Sequence, residues 1–487
     1  MKNTKTQRRS PYCCALSRLR YAGTKKTGRF SLCLCAFVSL CLATALLFAQ
    51  QQPRGVIDLD RIREVHYDTS LWWEPGRGIA LPSSKNYDNA SGQLRLLNRS
   101  GDVETKGHPF FTALGSNGRA CVTCHQPSSA MSLSLDLIRD RWTATNGKDA
   151  LFAAVDGSNC PALPQEKQES HSLLLERGVF RIALPWPPAS GKPDFRIEVV
   201  RDPTGCNKNP ASISVYRRPR VVANLQHIVQ ATGDTLMADG RERTLQSQAT
   251  SAAVVHLEAS TAPTRAQLLQ IEDFQRQLFT AQQWDILGGQ LGEPEGPRVL
   301  GVDHLASGAA VSAAGNLVAS FDPWRQASAG NLAVRQRAFR ESVLRGVDLF
   351  ASRQFRLADG KQGTCASCHE TGINHAIDIG TTNLPTAKES PELPLFRITC
   401  DASAAPHSQL GRTFLTQDPG RALVTGKCAD AGAIVSQQLR GLTARAPYFA
   451  NGSARDLNEL VDFFDRRFKI GFTEKEKQDL VNFLSAF

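Results

Sequence analysis

Two strings in this chain, Cys121-Val-Thr-Cys124-His125 and Cys365-Ala-Ser-Cys368-His369, repeat one spacing with a specific chemistry. Two thiols on one turn add across the two vinyl groups of a haem, and the adjacent His is left pointing at the iron as proximal ligand. A chain of this composition would contain such a string by chance on the order of 0.01 times. A zinc site would need further Cys or His pairs at finger-like spacing, and a redox dithiol would need no His in both copies. The expected cofactors are therefore two covalently bound haem c groups. Cys121, Cys124, Cys365 and Cys368 are the attachment points, and His125 and His369 are the iron ligands.

Each string needs apolar elements to cover the haem edge. Before the second, Glu341–Phe350 places Val343, Val347 and Phe350 on one helical face, with Gly346 allowing close contact. Before the first, Gly107-His108-Pro109-Phe110-Phe111 is a weaker helical counterpart. At the C-terminus, Thr473 and Glu476 have capping-box spacing, and Leu480, Phe483, Leu484 and Phe487 form an apolar stripe. Phe180–Leu184 and Phe195–Arg201 alternate as short strands around Pro185-Trp186-Pro187-Pro188. Residues 246–285 are helix-like, and the Gly-rich run at 286–315 is expected to be surface loop.

The 487 residues suffice for two or three domains, and 41% hydrophobic with 21% charged residues excludes a disordered or fibrous chain. The net charge of +11 is no nucleic-acid signal. Nine of the 57 basic residues and none of the 46 acidic ones lie in residues 1–49, so the remainder is close to neutral. Residues 30–49 follow that basic stretch as an uninterrupted apolar run, the layout of a secretory signal or an uncleaved membrane anchor. Either places the body outside the cytoplasm, in the periplasm, with membrane contact only through this segment if it is retained. Five of the thirteen cysteines belong to the leader. Beyond the haem strings remain Cys160, Cys206, Cys400 and Cys428, an even number that suggests disulfides in an oxidising compartment. Proximity along the chain favours Cys160–Cys206 and Cys400–Cys428 among the three possible connectivities.

Three features together resemble the bacterial di-haem cytochrome c peroxidase and MauG-type family. The first is the pair of haem strings. The second is Asp239-Gly240-Arg241 followed by Leu245-Gln-Ser-Gln248-Ala249, with Glu258 ten residues beyond Gln248. The third is Leu442-Thr-Ala-Arg-Ala-Pro447-Tyr448-Phe449-Ala450-Asn451-Gly452-Ser453 followed by Leu457-Asn-Glu-Leu-Val. The resemblance implies an N-terminal haem that meets peroxide or dioxygen and a C-terminal haem that relays electrons. It places Gln248 and Glu258 near the reactive iron as candidate catalytic residues, since a carboxylate there can move the proton of bound peroxide. His256, two residues before Glu258, either serves the same site or fills space. A small redox protein or a quinol-derived donor is the implied electron source. Several members also hold calcium between their domains, for which no ligands are assignable here.

The chain departs from the family at three positions. Ala238 stands where the family keeps a relay Trp, Ala450 where it keeps a His after Pro-Tyr-Phe, and Phe464 where a Met or Tyr ligates the C-terminal haem. Replacement ligands are sought among His375, His407, Tyr448 and Lys469. Met131, six residues after His125, is read as packing beside the haem rather than binding it. Trp142, Trp186, Trp284 and Trp324 lie between the strings, with core packing the default for each.

The expected fold is mainly α, with two cytochrome c-like haem domains and some short β-strands in the N-terminal half. Its parts are a signal or anchor (1–49), an N-terminal haem c domain (50–245), a helical and loop connection at the haem interface (246–340) and a C-terminal cytochrome c-like domain (341–487). The expected function is an exported di-haem peroxidase-type oxidoreductase. A non-catalytic electron-transfer cytochrome, a rubber-oxygenase-like dioxygenase and a degenerate haem-binding paralogue are the alternatives.

Overall fold

The computed structural model describes residues 71–227, 236–310, 316–327, 332–357, 360–369, 379–381, 390–435 and 437–487. The leader at 1–49 and His375 lie outside the described residues. The chain opens with a hairpin, β1 (Ser84–Asn89) and β2 (Gly92–Asn98), and the first haem string forms the one-turn helix α1 (Cys121–Cys124). Three strands follow, β3 (Phe180–Pro185), β4 (Phe195–Arg201) and β5 (Ser212–Arg217). Helices α2 (Leu245–His256) and α3 (Arg265–Gln277) then lead into β6 (Leu278–Asp285) and β7 (Gly289–Gln290). The last third carries α4 (Val334–Ser352), α5 (Cys365–His369), β8 (Leu395–Cys400), β9 (Thr413–Thr416), α6 (Leu457–Phe468) and α7 (Glu474–Ser485). The described residues are thus mainly helical, with several small sheets.

Both strands expected from alternation form, but they do not pair with each other. β3 pairs antiparallel with β5, while β4 is the edge of a sheet ordered β9-β8-β4. That pairing runs Phe195↔Cys400 through Arg201↔Leu395, so strands also occur in the C-terminal half and join the two halves. The β1-β2 hairpin is extended by β6 in register Asn98↔Leu278 to Gly92↔Asp285. Residues 278–285 were expected as helix. They form a strand paired with β2 whose polar side chains Thr280, Gln282 and Gln283 are buried, with the Asn89 amide donating to Gln282 at 2.9 Å. Hydrophobic periodicity cannot register such a strand.

The Gly-rich run is not surface loop either. Leu291, Val299 and Leu300 are buried in one cluster with Phe339 and Val343, and Val302 and Leu305 pack with Phe279 and Ala281. The glycines let the backbone approach the core: a Cβ at Gly288 would meet the Phe339 ring at 2.4 Å. Before the first string, Gly107–Phe111 forms turns rather than a helix, yet Phe110 and Phe111 are buried.

α4 and α7 pack as their sequences imply. Thr473 accepts from the Glu476 N–H and the Glu476 carboxylate accepts from the Thr473 N–H. Val343, Val347, Phe350, Leu480, Phe483 and Phe487 share one core. Gly346 is the contact point, since a Cβ there would lie 2.2 Å from the Asp479 carbonyl oxygen. Two disulfides, Cys160–Cys206 and Cys400–Cys428, close loops within each half.

The halves are also held by buried charge. Arg217, at the end of β5, donates to both carboxylate oxygens of Asp418 at 2.6 and 2.8 Å and to Asp239 at 2.6 Å. Arg241 donates to Asp239 at 2.8 Å. Asp239 and Arg217 are almost wholly buried. Burial alone would raise the Asp239 carboxyl, but Arg217 and Arg241 outweigh it and hold it below the ordinary range. Burial alone would lower Arg217, but Asp418 and Asp239 keep it above its usual value.

Two outcomes follow from these contacts. Gly346→Ala forces α4 and α7 apart and should cost about 1–3 kcal/mol, read as a lowered urea midpoint at unchanged slope. Asp418→Ala leaves a buried guanidinium half-paired and should cost about 3–5 kcal/mol by the same measurement. Asp239 titrates lower folded than unfolded, so its contribution is present above about pH 4 and is lost as pH falls through the folded value. The urea midpoint should therefore drop more steeply on acidification below about pH 4 in the native protein than in Asp239→Asn.

Candidate functional site

α1 presents its histidine through a local backbone latch. The His125 N–H donates to the Cys121 carbonyl at 3.1 Å, and its Nδ1 lies 3.1 Å from the Met131 carbonyl. A carbonyl only accepts, so Nδ1 carries the proton and Nε2 keeps its lone pair, the tautomer an iron ligand needs. Ala130 and Met131 both have positive φ, 56° and 58°, which turns the chain and aims that carbonyl back at the ring. Burial pushes His125 down to about 4, so it is neutral at physiological pH. The Met131 side chain is buried beside Phe110, Val222 and Leu225, and it is not part of the cavity lining. It packs, as its spacing suggested.

His125, Cys121 and Cys124 line a cavity of about 200 Å³ that opens to solvent. Its wall is mostly apolar, with Phe110, Val221, Val222, Leu225, Leu236 and Ile271 among its residues. α2 contributes one face: Leu245, Gln248, Ala249, Ala252 and His256 recur at helical spacing. Val435, Gln437 and Gln438 of the C-terminal half complete the lining, as does Ala238 at the relay position. The amide of Gln248 reaches the Met237 sulfur at 3.9 Å. Glu258 lies past the end of α2 with φ 54°, and its side chain is exposed and outside the lining. Its carbonyl accepts from the Ser116 N–H at 3.3 Å. The group sequence reasoning left undecided is His256, whose Nδ1 sits 2.7 Å from Asp156. Asp156 is a hundred positions away along the chain, so no spacing signals the pair. Helical periodicity from Leu245 to His256 was the one cue available.

These residues fit a thioether-bound haem c. The cavity is largely apolar, its two thiols lie on one turn, and its imidazole is neutral and oriented. Burial pushes the Cys121 and Cys124 thiols up to about 12. Among the described residues no group of three or more His, Cys, Asp or Glu side chains is placed to share a metal ion. That disfavours zinc and offers no acidic cluster for calcium.

The second string forms α5, capped by reciprocal bonds between Thr364 and Ser367 at 2.8 and 3.2 Å. Burial pushes His369 down to about 4 and the Cys365 thiol up to about 12. The His369 ring lies 6.0 Å from Phe350, which in turn lies 5.1 Å from Phe483, so α4 and α7 provide the apolar neighbours expected. Its Nδ1 is buried without a hydrogen-bond partner among the described residues.

The described candidates for a replacement sixth ligand have the following surroundings. The Tyr448 hydroxyl donates to the Leu442 carbonyl at 2.9 Å. His407 accepts at Nδ1 from the Gln409 and Leu410 N–H groups and packs on Phe414. Lys469 is exposed. Phe464 joins Phe449, Phe463 and Phe468 in an aromatic cluster. The tryptophans between the strings behave as packing residues: Trp142 meets Phe152 and His171, Trp186 meets Phe195, and Trp324 meets Phe321 under Arg340. Trp284 is partly exposed at 38%.

No protein-family model matches this chain. Among characterised proteins, cytochrome-c peroxidase IdrP1 of Denitromonas iodatirespirans is 28% identical over 149 residues, which is 28% of this chain and 39% of that protein. Cytochrome-c peroxidase IdrP1 of Pseudomonas sp. (strain SCT) is 29% identical over 156 residues, 29% of this chain and 40% of that protein. IdrP2 of D. iodatirespirans is 27% identical over 143 residues. The chain spans about two fifths of the length of these relatives. The resemblance read from its motifs therefore stands: over the matched stretch this chain is similar to cytochrome-c peroxidases.

Proposed function

We propose that the chain is an exported di-haem c-type oxidoreductase of peroxidase type, reacting peroxide or dioxygen at the His125 haem and relaying electrons through the His369 haem. The observation that carries this reading is the single cavity that gathers Cys121, Cys124 and the neutral His125 with Gln248 and His256 of α2. A haem bound there supplies an iron centre for small-ligand binding and electron exchange. The chain's own residues do the rest. The Met131 carbonyl fixes the His125 tautomer, the apolar wall limits water, and Gln248 offers an amide that can donate to a bound oxygen species. Of the two catalytic candidates from the motif, Gln248 is the one supported by position. The similarity to cytochrome-c peroxidases supports peroxide as the substrate class.

With Ala238 at the cavity wall, electrons from the His369 side reach the first site without an indole at that position. The reductant in this reading is a small redox protein or a quinol-derived donor. Export is supported by the basic stretch and apolar run at the N-terminus. Among the described residues no helix is long and apolar enough to cross a membrane.

The full-length protein should show two haems per chain in a pyridine haemochrome assay, and its reduced form should be reoxidised by hydrogen peroxide. Cys121→Ala/Cys124→Ala should drop the count to one and abolish reoxidation by peroxide. Two haems that stay low-spin and inert to peroxide would instead make the protein an electron carrier.

A further inference from the structure

We propose that His256, held by Asp156, is the proton-accepting side chain of the first cavity; this deepens the reading above and rests on it. The acid it serves is a small neutral H–X of the hydrogen peroxide or hydrogen cyanide class, which binds iron as its anion. His256 ends α2 and lines the cavity that holds His125. Asp156 accepts at 2.7 Å, so Nδ1 carries the hydrogen and Nε2 keeps its lone pair. Among the described residues Nε2 has no hydrogen-bond partner, so the basic nitrogen is available to a cavity ligand.

Asp156 is itself anchored. It is 5% exposed and lies 3.7 Å from Arg119. Arg119 donates to the carbonyls of Ala150, Leu151 and Ala153 at 2.7, 2.9 and 3.0 Å, and to the His256 carbonyl at 3.3 Å. Because Arg119 stands two residues before Cys121, the same guanidinium fixes the imidazole relative to the haem attachment turn. Asp156 touches no ligand and acts as a positioning residue. In the transfer, the H–X bond breaks, an Nε2–H bond forms, and the products are X⁻ and an imidazolium beside the Asp156 carboxylate. No electron moves. This is the task the motif resemblance would assign to Glu258, whose side chain lies outside the cavity.

Cyanide is the probe, because HCN must shed its proton to bind ferric iron. With full-length, haem-loaded protein, the association rate measured by stopped-flow absorbance should fall about 100-fold in His256→Leu at unchanged haem content. If that variant does not accumulate, His256→Gln carries the same expectation. Asp156→Asn should lower the rate and Asp156→Glu should restore it, a rescue that loss of packing alone would not show. A native rate in the His256 variants overturns the inference, as does a loss that follows Glu258→Gln instead. A change from low-spin to high-spin absorption in His256→Leu overturns it too, by making His256 an iron ligand. Protein without haem sinks the underlying reading, whereas haem-loaded protein with a native rate sinks only this assignment.

Discussion

One buried arginine carries much of this architecture. Arg217 emerges from the end of β5 and is clamped between Asp239, which precedes the cavity-lining Arg241, and Asp418, which follows β9 in the other half of the chain. A guanidinium in a low-dielectric interior is tolerable only when opposite charges and good hydrogen-bond geometry surround it. Satisfying it therefore fixes three distant segments at once. Such a clamp adds little to net stability compared with apolar packing, but it permits few alternatives, and it sits beside the cavity where displacement would be felt most.

The two haem strings share a sequence and differ in how their histidines are held. His125 is latched by a carbonyl six residues on, through two consecutive left-handed residues, whereas the His369 Nδ1 has no hydrogen-bond partner among the described residues and its ring packs against Phe350. A ligand whose outer nitrogen is bonded has its tautomer and ring plane set in advance. The first site is thus the more defined of the two, and it is also the one with polar groups on α2. This asymmetry supports the proposed division of labour, with chemistry at the His125 site.

What could be read beforehand follows from the range of the interactions involved. The capping of α7 and the Gly346 contact rest on local spacing, so the sequence displays them, and the shorter-range choice among three connectivities matches both disulfides. β6 was hidden because its buried polar residues find partners on other strands, and the 286–310 segment was hidden because its glycines serve close packing rather than flexibility. The cavity wall was half legible: motif position pointed to Gln248, while His256 was noticed only for its nearness to Glu258. Asp156 was invisible because a hydrogen bond between residues so far apart leaves no trace in periodicity. The pairing of β4 with β8 escaped for the same reason, since neither strand contains any mark of its partner.

The β4–β8 pairing and the presence of Val435, Gln437 and Gln438 on the cavity wall bring the two halves of the chain to one pocket. The wall around Cys121 is finished by residues made roughly three hundred positions later. Until that late-made stretch has folded against it, the pocket keeps an open flank.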